Sequence, residues 1–397
     1  MQRTNCLICT SNQLIEIINL GMHSFADTFI PQDGISDPDP LYPLICDLCE
    51  NCGHVQARIV TSPSQRYTAR DYSYTSANSD FSRSHWNSFS QKIGEKIPNH
   101  SFIVEIGSND GYLSKQFLQQ GHNAIGVDPS PYMAEVAKKE GVDTVVGLWS
   151  QEICENLLAQ FGTANLVVAN NVFNHAESPI DFINDVKNIL SSNGKFVFEV
   201  PYWALEIQNG RYDQIYHEHV SYFTVRSIVE LLHRTTMSLI SVEMVDYHGG
   251  SLRVIVSHKE KSEFDAVELV ENELSKHTFD ANTYIAFMDN AIKARNNLIN
   301  KVYDLKSNGK SIVAIGAAAK GNTFLSFHNF DMFSIDYVTD SSPHKQGKFT
   351  PKTRIPIAGD EIFRQYQDVY ALILSWNISN RLKNKLAEIH NNIQYIM

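Results

Sequence analysis

The run Tyr216-His217-Glu218-His219-Val220-Ser221-Tyr222 puts two imidazoles, one carboxylate and two phenols into seven residues. A base, a group to orient it and hydroxyl donors are what removal of a proton beside a carbonyl requires. The base takes the C–H proton and a donor holds the enolate oxygen. A catalytic metal is the other reading of two histidines and a glutamate, but the H-E-x-x-H spacing of helical zinc sites is absent. A polar surface loop is the plainer alternative. In an extended loop His217 and His219 point the same way, so spacing does not choose between them as the base.

A second group of residues is built for metal. Cys6-Leu7-Ile8-Cys9 and Cys49-Glu50-Asn51-Cys52 are two C-x-x-C knuckles, able to give four thiolates to a tetrahedral zinc. Cys46 with Cys49 is a rival second pair. Gly53, directly after Cys52, favours Cys49 with Cys52, because a knuckle turns backbone N–H groups toward sulfur. Cys6, Cys9, Cys49 and Cys52 are therefore the expected ligands. Four thiolates leave no position for a water, which makes the zinc structural. The opening Met1-Gln2-Arg3-Thr4-Asn5-Cys6 lacks the apolar core of a signal peptide. A reducing cytoplasm is the expected compartment, and it favours metal over disulfide.

Two further segments read as strand–loop–helix ligand sites. Val104-Glu105-Ile106-Gly107-Ser108-Asn109-Asp110-Gly111 closes an apolar strand and opens a helix. Asp128 ends the next strand, where an acid can take both ribose hydroxyls of an adenosine. The spacing is E-x-G-x-x-x-G, not the dinucleotide G-x-G-x-x-G, and it resembles motif I of the S-adenosylmethionine-dependent methyltransferases. The candidate cofactor residues are Glu105, Gly107, Asn109, Asp110, Gly111 and Asp128. Asn171 and His175 join them from the segment after the strand at 166–169. The second segment is Gly316-Ala317-Ala318-Ala319-Lys320-Gly321-Asn322-Thr323. Lys320, Gly321, Asn322 and Thr323 place backbone donors and a cation at a helix N-terminus, which suits a diphosphate. The G-K-[ST] order of a Walker loop fails. His344 and Lys345, after the following strand, can close the same crevice.

These segments need elements to position them. A chain of 397 residues predicts two or three domains. With 43% apolar and 19% charged residues it can fill more than one core. A formal charge of −11 without a Lys/Arg-rich block argues against a nucleic-acid groove. No apolar run approaches the ~20 residues of a membrane span. Residues 1–66 read as a small cysteine-rich module that cannot fill a core alone. Residues 67–257 alternate strand and helix, as a doubly wound parallel sheet does, and end in a hairpin of 238–245 with 251–257. Residues 258–397 begin helical and then restart the strand–turn–helix pattern. The expected fold class is α/β, and with the resemblance to methyltransferase motif I it implies a small N-terminal zinc module, a central class I (Rossmann-like) methyltransferase domain and a second Rossmann-like α/β domain.

Taken together, the chain resembles the zinc-containing nucleotide-sugar C-methyltransferases of deoxysugar biosynthesis, essentially end to end. The resemblance is carried by the paired knuckles ending in Cys52-Gly53-His54-Val55-Gln56, and by Asp71-Tyr72-Ser73-Tyr74-Thr75-Ser76. Glu105–Leu113, Asn170–His175, Tyr216–His219, Gly316–Thr323 and His344-Lys345-Gln346-Gly347 complete it. It implies S-adenosylmethionine as methyl donor and a 4-keto-6-deoxy sugar on a nucleoside diphosphate, usually deoxythymidine diphosphate, as substrate. The carbon methylated is most often carbon 3, with carbon 5 used by some relatives. It also implies that Tyr216, Glu218 and His219 form the active-site loop, with His219 as base, and that Tyr72 or Tyr74 lines the sugar, Tyr72 being favoured. Competing expectations are an NAD-dependent oxidoreductase, a small-molecule O- or N-methyltransferase, and a zinc-ribbon adaptor binding protein or nucleic acid.

Overall fold

The cysteine module extends through strands β1 (Leu14–His23), β2 (Tyr42–Cys49) and β3 (Val55–Ala57), which pair antiparallel in that order. The structure is a computed structural model, and it describes residues 1–67, 75–77, 79–258 and 264–396. Tyr72 and Tyr74 lie outside the described residues. A short helix α1 (Pro63–Tyr67) follows β3.

Helix α2 (Asp80–Gly94) starts at Ser79, whose side chain accepts from the Ser82 N–H. Then come β4 (Phe102–Ile106), α3 (Tyr112–Gln119), β5 (Asn123–Asp128), α4 (Pro131–Lys139), β6 (Thr144–Val146) and α5 (Gln151–Phe161). After them run β7 (Ala164–Asn170), α6 (Pro179–Ile189), β8 (Leu190–Pro201), α7 (Trp203–Gln208), β9 (Ser221–Tyr222) and α8 (Val225–Thr235). The hairpin is β10 (Ser238–Val245) with β11 (Ser251–Ser257). Among the described residues the central sheet runs β10-β11-β8-β7-β4-β5-β6. β4 to β8 are parallel and only the hairpin is antiparallel. Its strands are apolar on both faces because helices cover both, as with the fully buried Ile103 and Val104. Strand order reverses beside β4, so a ligand crevice opens at the carboxyl ends of β4 and β7.

Helices α9 (Val267–Ser275) and α10 (Ala281–Ser307) lead to the third unit. It comprises β12 (Ile312–Ile315), α11 (Ala319–Phe327), β13 (Tyr337–Thr339), β14 (Ile357–Ala358), β15 (Val369–Ile373), α12 (Ser379–Ala387) and β16 (Ile393–Ile396). The strands are parallel in the order β14-β13-β12-β15-β16, with the reversal beside β12.

The three units share packing. β9, from the site loop, is the fourth strand of the N-terminal sheet, with Val55 opposite Tyr222 and Gln56 opposite Ser221. One core joins Ile18, Leu44 and Cys46 of that sheet to Trp203, to Tyr284 and Phe287 of α10, and to Phe327 of α11. The Trp203 indole donates to the Tyr284 hydroxyl at 3.1 Å, and that hydroxyl donates to the Thr278 carbonyl at 2.8 Å. Both rings are buried with their polar atoms paired, so truncating Trp203 to alanine would cost ~3–5 kcal/mol.

Candidate active site

The four knuckle sulfurs converge. Their Sγ atoms lie within 4.8 Å of one another, with Cys6 to Cys52 at 3.5 Å and Cys9 to Cys49 at 3.4 Å. A tetrahedral zinc with bonds of ~2.3 Å sets ligand sulfurs just under ~4 Å apart, so this cluster fits zinc. The N–H groups of Ile8 and Cys9 both point at the Cys6 sulfur at 3.4 Å. Gly53 has φ +75°, and a Cβ there would meet the Phe279 ring at 2.7 Å. Cys46 is not part of the cluster: it is turned into the shared core.

In the central domain, Gly107 follows β4 with φ +69°, and its N–H donates to the Val127 carbonyl at 2.7 Å. A Cβ at Gly107 would stand 2.2 Å from a Val172 methyl, so only glycine closes the turn. Asp128, at the end of β5, accepts from the N–H of Asn109 and of Ser130, both at 2.9 Å. Burial lifts its carboxyl against those two donors. Glu105 accepts from the Ser114 hydroxyl, and burial lifts it to about 8. Asn109 and Asp110 tie down another segment. Asn109 Oδ1 accepts from the Ser76 N–H at 2.9 Å, and Asp110 accepts from the Ser76 hydroxyl and from the Ala77 N–H at 3.0 Å.

The loop between α7 and β9 separates its two histidines. Nδ1 of His219 is 2.9 Å from the Gln214 carbonyl oxygen, so it carries the proton and Nε2 of the neutral ring has the lone pair. Burial lowers His219 to about 3, which keeps it neutral. Its ring centroid is 3.9 Å from Tyr216 and 5.0 Å from His175. Glu218 Oε1 accepts from the backbone N–H of Ala26 (3.1 Å) and Asp27 (3.3 Å), in the N-terminal module. Its Oε2 is buried without a partner among the described residues, and burial lifts the carboxyl to about 7.

In the third unit the loop after β12 passes Gly316 (φ +97°) into the N-terminus of α11. Lys320 donates to the Asn377 amide oxygen and stands 4.7 Å over the Trp376 ring. Burial lowers it to about 8, against the pull of Asp213 and Glu206. Lys345 Nζ donates to the Ala317 carbonyl at 2.8 Å. His344 hydrogen-bonds the Tyr132 hydroxyl at 2.9 Å, linking this unit to α4 of the central domain.

One cavity of about 1290 Å³ runs between the units. Glu105, Gly107, Asn109, Asp128, Asn171 and His175 line it from the central domain. Tyr216, Glu218 and His219 line it from the loop, and Lys320, His344 and Lys345 from the third unit. Asp110, Gly111, Gly321, Asn322 and Thr323 are not in its lining. Asn322 donates instead to the Ala26 carbonyl at 2.6 Å, and Thr323 to the Ile215 carbonyl at 3.0 Å. These two bonds fasten α11 to the N-terminal module and the loop. Sequence reasoning missed Asp27, Arg66, Trp149, Gln214 and His248 in the wall. Trp149, just past the end of β6, obeys the rule that ligands sit beyond strand carboxyl ends. The others reach the cavity through tertiary packing that no local spacing announces.

Three family descriptions match the chain in succession. "Putative zinc binding domain" matches residues 6–67, "Methyltransferase domain" residues 81–242, and "C-methyltransferase C-terminal domain" residues 246–397. The chain is an S-adenosylmethionine-dependent C-methyltransferase. It is 27% identical over 394 residues to the C-methyltransferase NovU of Streptomyces niveus, spanning 98% of this chain and 93% of that one. Solved structures similar to part of it include a TehB-like methyltransferase from Corynebacterium glutamicum, 17% identical, covering 43% of this chain and 86% of that one, TM-score 0.33. Another is the magnesium protoporphyrin IX methyltransferase of Synechocystis, 14% identical, covering 45% of this chain and 79% of that one, TM-score 0.34.

The C-methyltransferase has two cofactors, S-adenosylmethionine and zinc, and the residues present fit both. For the methyl donor, the Gly107 turn lines the cavity at the carboxyl end of β4. The buried amide atoms of Asn170 and Oδ1 of Asn171, lining the same cavity, have no partner among the described residues. Unpaired buried polar atoms around a cavity are the mark of a polar ligand's site. Among the described residues of the C-methyltransferase, no helix is long and apolar enough to cross a membrane.

Proposed function

We propose that the enzyme methylates carbon 3 of a 4-keto-6-deoxy sugar carried on a nucleoside diphosphate, deoxythymidine diphosphate in the first instance. The observation that carries this reading is the shared cavity, which His219 and Tyr216 line together with the Gly107–Asp128 crevice and the Lys320 loop. A methyl donor and a substrate with its own nucleotide need two α/β sites facing one base.

His219 Nε2 takes the proton from the carbon next to the ketone, which leaves an enolate. The Tyr216 hydroxyl donates to the enolate oxygen, and Glu218, fixed by the Ala26 and Asp27 amides, orients the loop. Tyr72 or Tyr74 completes the sugar wall. S-adenosylmethionine supplies an electrophilic sulfonium methyl. The enolate carbon would take that methyl, with S-adenosylhomocysteine as the leaving group, and His219 holds the substrate proton until solvent takes it.

Asp128 holds the adenosine ribose of the donor, with Glu105, Gly107, Asn109, Asn171 and His175 around the rest of it, while Asp110 and Gly111 shape the loop from outside the cavity lining. Lys320 and the α11 N-terminus hold the diphosphate together with His344 and Lys345, while Gly321, Asn322 and Thr323 shape and anchor that loop. Thiolate zinc ligands accord with a reducing cytoplasm. The test is a panel of nucleotide-linked 4-keto sugars incubated with methyl-labelled S-adenosylmethionine. Mass spectrometry and NMR should find one added methyl on carbon 3 of a deoxythymidine-diphosphate sugar. Transfer to oxygen or nitrogen, or to sugars lacking the ketone, would overturn the reading.

A further inference from the structure

Beside His219 lies a second, small cavity of about 10 Å³. Its polar lining is Asn174, Glu206, Gln214, His219, Ser221 and Tyr222. His219 and Gln214 also line the large cavity, so the imidazole forms part of the wall between the two. Glu206, on α7, is 1% exposed. Neither of its carboxylate oxygens has a hydrogen-bond partner among the described residues, and the same holds for the amide oxygen and nitrogen of Asn174 and the Ser221 hydroxyl. Arg211 Nη1 is 3.8 Å from the Glu206 carboxylate, beyond hydrogen-bond reach. A volume of one water, walled by several unpaired polar atoms, is what a buried structural water requires.

We propose that this cavity binds a water hydrogen-bonded to Glu206, and that the charge of ionised Glu206 behind it stabilises the imidazolium formed when His219 takes the substrate proton, the two ring N–H groups being directed to the Gln214 carbonyl and the substrate. The inference rests on the reading of His219 as the base. Glu206 is then a positioning residue that never touches substrate. Arg211, Asp213, Lys320, His219 and Tyr222 face it from the neighbouring elements. Burial lifts Glu206 to about 8. Its charge, and with it the support for His219, therefore appears as pH rises through that region.

The experiment follows hydrogen–deuterium exchange at the methylated carbon of a deoxythymidine-diphosphate 4-keto sugar, at saturating sugar, with S-adenosylhomocysteine in place of the donor. The wild-type rate should rise with pH to a plateau, with its midpoint near 8. Glu206→Gln should exchange roughly 10–100-fold more slowly and lose that limb, by analogy with removing the group behind a metal-bound imidazole. Its affinity for S-adenosylhomocysteine should stay within about twofold. Glu206→Asp, which keeps the charge, should keep the limb. A high-resolution crystal structure should show the water. Wild-type rate and profile in Glu206→Gln, or a cavity without a water peak, would overturn the inference. If Glu206→Gln does not fold, Glu206→Asp and the crystal structure decide it. His219→Ala is run alongside: wild-type exchange in that variant would overturn the assignment of the base instead.

Discussion

His217 and His219 are two residues apart and meet different surroundings. His219 lines the large cavity with Nδ1 held by the Gln214 carbonyl. His217 packs edge-on against the rings of Phe25 and Tyr42, its Nε2 is 3.3 Å from the Pro43 carbonyl oxygen, and it is absent from the cavity wall. The chain does not run straight through this loop: the His219 N–H turns back to the Tyr216 carbonyl at 2.9 Å. That turn sends the two imidazoles to different places, which equal spacing in an extended strand would not.

The zinc cluster gives the first prediction. Metal analysis should find about one zinc per chain, and Cys49→Ser should bring it near zero and lower the melting temperature, because metal binding is coupled to folding. Cys46→Ser should keep the metal while costing ~1–3 kcal/mol for burying a hydroxyl in an apolar core. Zinc lost from Cys46→Ser and kept by Cys52→Ser would reassign the second knuckle.

Asp128 joins the cofactor loop to its proposed ligand. Its carboxylate already accepts from the Asn109 and Ser130 N–H groups and has lone pairs left for ribose hydroxyls. Asp128→Ala should weaken S-adenosylmethionine binding by ~1.5–3 kcal/mol, or about 10–100-fold. Titration calorimetry on the folded variant checks this. Unchanged affinity would remove Asp128 from the adenosine site.

Lys320 should act on the other ligand. Lys320→Ala should raise KM for the nucleotide sugar about 10-fold, the loss of one charge-assisted hydrogen bond, and leave KM for S-adenosylmethionine nearly alone. Burial sets Lys320 near 8, and its cation exists below that value. In the wild type, KM for the sugar should therefore rise as pH is taken above about 8, and the Lys320→Ala profile should be flat there. The opposite ligand pattern would mean that the two α/β units have exchanged roles.

Much of this layout is legible in the sequence because it is local. The Glu105–Gly111 turn, Asp128 at the end of the next strand, and the hairpin of Ser238–Val245 with Ser251–Ser257 each follow from periodicity and glycine placement over fewer than about 20 residues. The α2 helix starts at Asp80 behind its Ser79 cap, a polar first turn that hydrophobic periodicity does not register. What is not legible is long-range. Glu218 meets the amides of Ala26 and Asp27, and Asn322 meets the Ala26 carbonyl, across 192 and 296 residues of chain. These contacts join the N-terminal module to the candidate site, and no motif spacing encodes them. Asn109 and Asp110 show the converse. Their place in a motif marks them for ligand, while their side chains spend bonding capacity on Ser76 and Ala77.

The most direct test of the account is proton exchange without methyl transfer, since enolate formation by His219 is its central step. His219→Ala and His217→Ala are each incubated in deuterated water with a deoxythymidine-diphosphate 4-keto sugar and S-adenosylhomocysteine, and the carbon to be methylated is followed by NMR. A positioned base contributes ~10²–10⁴-fold. His219→Ala should lose exchange by that factor while still binding both ligands, and His217→Ala should exchange at a rate near that of the wild type if its packing survives. Wild-type exchange in His219→Ala, with exchange lost in His217→Ala, would contradict the account.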